Sequence, residues 1–108
     1  MSGEYTVRPV GDVDIVQAED LRAEWYRVVD GHEPERLVFD VSGVTFLDSA
    51  GLSAMAGVIR RQSVHGGTVA VRNASPMILK LLNLTGLDQV IEVLPPDAPQ
   101  GLPIDRLD

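Results

Sequence analysis

Cysteine is absent from this chain, basic residues are outnumbered, and no apolar run is long. Without cysteine there is neither a disulfide framework nor a thiolate zinc site. No stretch approaches the roughly 18 to 20 apolar residues needed to cross a bilayer, so a membrane role has to go through a partner. Nine Lys and Arg face sixteen Asp and Glu, and a formal charge of -7 repels a phosphate backbone, which argues against direct nucleic-acid binding. The N-terminus does not join a basic segment to an apolar one as a secretion signal does, so the expected compartment is the cytoplasm. Neither GxxxxGK[ST] nor GxGxxG occurs, which leaves nucleotide hydrolysis without machinery. Protein partners are the expected ligands.

What is present suits one soluble globular domain: 108 residues, 44% hydrophobic and 23% charged, enough for a single core. Tyr5 to Val10 is a short strand ending at Gly11, and Pro9 places it at an edge or stops it. Ala18, Leu21, Trp25 and Val28 recur at helical spacing and predict an amphipathic helix over 15–29, with Asp14 as cap and Gly31 as stop. After Pro34, the nearly continuous apolar run over 36–41 predicts a central strand covered on both faces. Leu52, Met55, Ala56 and Ile59 lie on one face of a second helix that starts after Asp48 and ends near His65, Gly66 and Gly67. Thr68 to Arg72 is the next strand, and Ser75 followed by Pro76 signals a helix through about Leu82, closed by Gly86. A last short strand covers 90–94, and the proline-rich stretch 95–108 has no periodicity of a packed element, so a loosely structured tail is expected there. Strands alternating with helices predict an α/β fold, a mostly parallel (mixed) four-stranded sheet with helices packed on it.

The stretch LVFDVSGVTFLDSAGL, residues 37–52, carries the most information. It delivers Asp48, Ser49, Ala50 and Gly51 onto the first turn of a helix, at the carboxyl edge where α/β sheets collect functional groups. A serine among unpaired backbone N–H groups, at the positive end of the peptide dipole, can accept a phosphate. Capping by Asp48 or Ser49 is the commoner role of such residues, and these residues alone leave both readings open. A strand, an exposed serine and a helix also form a hydrolase nucleophile elbow, but that chemistry needs a histidine base. His32 and His65 sit beside glycines in helix-ending turns and are better explained as satisfied surface histidines. Asp12, Asp14, Glu19 and Asp20 are better explained by a solvated helix start than by a metal cluster. No cofactor and no metal are expected.

The stretch VTFLDSAGLSAM, residues 44–55, resembles the signature of STAS domains of the anti-sigma factor antagonist type. Gly11, Asp12, Val13 and Asp14 resemble that family's turn before the first helix. Gly66 and Gly67 match its Gly-Gly before the next strand, and Ser75, Pro76, Leu81, Gly86 and Leu87 follow its later pattern. The resemblance implies a STAS domain over 1–94, followed by the tail 95–108. It also implies a regulator that is not an enzyme: an antagonist that, unphosphorylated, binds an anti-sigma factor acting as a serine kinase and so frees the sigma factor. A PP2C-type phosphatase would reset the cycle. By resemblance Ser49 is the phosphoacceptor, Asp48 the acid beside it, Asp14 the acid of the first turn, and Gly51 and Leu52 part of the partner-binding surface. Family members commonly have two strands ahead of that turn where this chain offers one clear strand, which leaves a sheet edge that a homodimer can cover. The same signature occurs in stressosome scaffolds and in STAS subunits of lipid-transport complexes, and a small-ligand sensor with a pocket near Ser49 is a further alternative.

Overall fold

A computed structural model of the chain describes residues 2–95. Ten elements follow in order: β1 (Ser2–Val7), β2 (Gly11–Val13), α1 (Ile15–His32), β3 (Pro34–Asp40), β4 (Val44–Leu47), α2 (Ser49–Val64), β5 (Thr68–Arg72), α3 (Pro76–Thr85), a 3-10 turn (Leu87–Gln89) and β6 (Glu92–Val93). Four strands form a sheet in the order β1-β3-β5-β6, and β2 pairs with β4 in a separate ribbon. The sheet is α/β and four-stranded as expected, but its pairs are all parallel rather than mixed. The proline-rich stretch expected to be loose lies, from residue 96 on, outside the described residues.

Local chemistry sets the element boundaries. Asp14 caps α1, Asp48 caps α2, and Ser75 caps α3 with Pro76 in its first turn. Gly86, at φ +79, ends α3 in the left-handed conformation that only glycine adopts without strain. Gly31 does not stop α1, which continues to His32 and closes on Glu33 in a left-handed conformation before Pro34. Strand β1 ends at Val7 rather than Val10: Pro9 has no N–H to donate, and Gly11, at φ +83, turns the chain into β2. The turn GDVD is therefore itself partly a strand, so two strands precede α1 where the sequence offered one. β6 keeps only two of the five residues expected of it.

Each crossover, β1 to β3, β3 to β5 and β5 to β6, steps the same way across the sheet, and right-handed connections then put all three helices on one face. The core agrees: Trp25, Val29, Met55, Val58, Ile78 and Leu82 from the helices join Leu37, Phe39, Val69 and Val71 from alternate strand positions in one cluster. Trp25 meets Phe39 edge to face at 4.9 Å, a geometry worth about 0.5 to 1.5 kcal/mol beyond its buried area. Val38 and Ala70 are buried but stand outside that cluster, on the other face. β3 is therefore central and buried on both faces as expected, with Val38 fully buried on the face away from the three helices. Its second face carries Arg36, whose guanidinium binds Glu4 of β1 at 2.6 Å and Glu92 of β6 at 3.0 Å. On that face charged side chains tie together strands β1, β3 and β6.

Candidate functional site

The short ribbon decides where the site lies. Val13 of β2 pairs with Leu47 of β4, so the residues that follow, Asp14 and Asp48, stand at the ends of adjacent parallel strands. Two helices thus begin side by side, and residues 34 positions apart in the chain share one surface. Three- and four-residue strands are too short for a periodic signal, which is why the ribbon escaped sequence reasoning.

Both aspartates cap. Asp14 Oδ1 accepts from the amides of Val16 at 3.1 Å and Gln17 at 3.4 Å. Asp48 Oδ1 accepts from Ala50 at 2.9 Å and Gly51 at 3.0 Å. Ser49 is the first residue of α2 and is exposed. The capping role therefore belongs to Asp48, and the Ser49 side chain is not the group that caps α2.

Gly51 holds this arrangement close. A Cβ at that position would lie 2.5 Å from the Val13 carbonyl oxygen and 2.7 Å from Leu47 Cδ1, so only glycine lets the first turn of α2 rest on the ribbon. The same carbonyl accepts from the Asp48 amide at 3.3 Å. Gly51 is buried and Leu52 is only 8% exposed. Gly51 and Leu52, which the resemblance assigned to the partner surface, lie on the side of α2 that faces the ribbon and the core.

Groups that sequence reasoning missed make up the outer rim. Ile15 and Val16 of α1 are 74% and 77% exposed, and Phe46 of β4 is 47% exposed, paired in register with Asp12. Thr45 donates its hydroxyl to Asp12 at 2.8 Å. Between the two helix starts a groove of about 210 Å³ is lined by Ile15, Ala18, Ala50, Ser53 and Ala54, with the paired Glu19 and Arg22 beside it. The signal available was Ile15 and Val16, two β-branched apolar residues directly after a cap, off the helix's apolar stripe. Asp12 accepts from Thr45, Asp14 from the α1 amides and Glu19 from Arg22.

No histidine reaches Ser49. His65 follows the last residue of the sixteen-residue α2, roughly 24 Å from its start at 1.5 Å per residue. His32 ends α1 and stacks on Tyr5 with ring centroids 4.6 Å apart, while His65 Nε2 lies 3.2 Å from Asp30 Oδ1. A serine–histidine mechanism is geometrically closed to this site. What remains is a surface on which the exposed Ser49 heads α2 among carboxylates and apolar side chains.

Comparison with known proteins gives a consistent result. The family model described as STAS domain matches residues 2–97. The anti-sigma F factor antagonist of Paenibacillus polymyxa is 25% identical over 91 residues, which cover 84% of this chain and 78% of that protein. The anti-sigma-B factor antagonist of Bacillus subtilis (strain 168) is 25% identical over 90 residues, covering 83% and 81%. A crystal structure of an anti-sigma factor antagonist from Mycobacterium paratuberculosis superposes with a TM-score of 0.74 at 31% identity, covering 86% of this chain and 78% of that one.

Proposed function

Since this chain belongs to the STAS domain family and is related at low identity to anti-sigma factor antagonists, we propose that it is itself such an antagonist, switched by phosphorylation of Ser49. Unphosphorylated, it binds an anti-sigma factor that is also a serine kinase, and so releases a sigma factor in the cytoplasm. A PP2C-type phosphatase reverses the modification. Asp14, Asp48 and Ser49 contribute to the partner contact, held in place by Gly51 and Leu52.

The observation that supports this most directly is the exposed Ser49 at the head of α2, with the adjacent amides of Ala50 and Gly51 already bound by Asp48. A phosphate there adds about -1.5 to -2 charges without those two donors to receive it. It joins Asp12, Asp14 and Asp48 on an acidic rim, next to the apolar Ile15, Val16 and Phe46 that a partner must desolvate. Adding charge to a desolvated contact costs several kcal/mol, enough to release the partner while the core stays intact. The acidic, apolar rim suits a partner surface that is basic and apolar.

The test uses the partner kinase and ATP. Mass mapping should find the phosphate on Ser49, Ser49→Ala should bind the kinase, and Ser49→Asp should lose binding. If protein carrying authentic phosphoserine at 49 binds as tightly as the unmodified chain, the proposal fails.

A further inference from the structure

Among the described residues, the helical layer has a gap. α1 and α2 pack along each other, with Tyr26 over Gly57, whereas α2 makes no comparable contact with the ten-residue α3. Between α2 and the 3-10 turn that follows α3, above the start of β5, lies a groove of about 590 Å³. Ala56, Ile59 and Ser63 line it at helical spacing along α2, and Leu87 and Val90 form the opposite wall. Val64 and Val90 at its rim are 82% and 58% exposed.

Among the described residues Arg60 is the only charged one lining this groove, in a chain of net charge -7. Arg60 also borders the hollow that holds Asp30, but the Asp30 carboxylate is already bound by Arg61 at 2.7 Å and by His65 at 3.2 Å. Among the described residues Arg60 forms no ion pair. A second copy docked by a two-fold axis through the same groove would set Arg60 against Arg60 with no lining carboxylate between them. A small molecule would stay wet along the rim formed by Val64 and Val90.

We infer that the groove docks an amphipathic helix of a protein partner, with its apolar face on Ile59, Leu87 and Val90 and a carboxylate on Arg60, completing the helical layer over β5. Arg60, the charged anchor, stands roughly 16 Å along α2 from Ser49 at 1.5 Å per residue, beyond the screening length at physiological salt, so this docking is indifferent to the state of Ser49.

The probes are two stapled synthetic helices of about 14 residues, each with a leucine stripe, one flanked by glutamates and the other by lysines. Titrated into the isotope-labelled full chain, the acidic helix should shift the amides of Ala56, Ile59, Ser63 and Val90. It should bind about fivefold or more tightly than the basic one. Arg60→Glu, a change at an exposed position, should reverse that preference, and Ser49→Asp should leave it unchanged. Absence of saturable shifts up to roughly 1 mM, shifts centred on the start of α2, or a preference that survives Arg60→Glu would each overturn the inference.

Discussion

Gly51→Ala isolates the contact that seats Ser49. The new methyl would stand 2.5 Å from the Val13 carbonyl oxygen, 2.7 Å from Leu47 Cδ1 and 2.9 Å from Val13 Cγ1. The two side-chain carbons can yield by rotation, but the carbonyl belongs to β2 and also accepts from the Asp48 amide. The first turn of α2 cannot retreat without stretching that bond and moving Asp48 and Ser49 with it. Overpacking of this kind costs about 1 to 3 kcal/mol, and the preference of a helix for alanine over glycine returns about 0.5 to 1. The expected net loss is about 0.5 to 2 kcal/mol by urea denaturation, a fall in Tm of about 4 to 8 °C for each kcal/mol in a domain of this size. Gly57→Ala is the control: its methyl would meet the Tyr26 hydroxyl at 2.6 Å, the far end of a rotatable side chain, and nothing else within 3.7 Å. Its stability should stay within about 0.5 kcal/mol of wild type. A Gly51→Ala protein as stable as wild type, with the Asp48 amide resonance unmoved, would refute the close-approach argument.

Three further outcomes follow from named contacts. Asp48→Ala should lose about 1 kcal/mol of stability with the cap of α2, whereas Asp48→Asn should retain most of it; equal losses in urea titrations would contradict the capping role. The Arg61 guanidinium, with His65 beside it, holds the Asp30 carboxyl below its ordinary 3.8, so its contribution is fully present above that value and is lost as pH falls through the lower folded-state pKa. Wild type should therefore exceed Asp30→Asn above pH 3.8, and the margin should close as pH falls through the lowered folded-state pKa; a margin that persists in strong acid has the wrong sign. Phe46→Ser removes an exposed ring, so stability should change by less than about 0.5 kcal/mol while calorimetry shows affinity for the partner kinase falling about tenfold or more. Unchanged affinity would remove Phe46 from the docking surface.

Sequence reasoning was strongest where a residue acts on its immediate neighbours. Asp14, Asp48 and the Ser75–Pro76 pair marked three helix starts, because a cap bonds to amides two or three residues on. β5 occupies the expected Thr68–Arg72 because its bounds are set by the Gly66–Gly67 turn and by Asn73 beyond it. It was weakest where the partner is remote. The run at 36–41 announced a strand buried on both faces, but nothing local to it reveals that Arg36 is held by Glu4 and Glu92, 32 and 56 positions away.

By itself, the order of residues determined that this is an acidic α/β domain that presents a serine at a helix start, since caps, helical spacing and net charge are properties of short stretches or of the whole composition. Tertiary structure alone decided that Asp48 takes the capping amides and Ser49 stays exposed, and that Asp14 stands beside them. It also put Gly51 and Leu52 underneath and Ile15, Val16 and Phe46 on the rim. The reason is the pairing of β2 with β4: two strands too short to announce themselves bring distant segments into register, and register is a relation between segments that neither one carries alone.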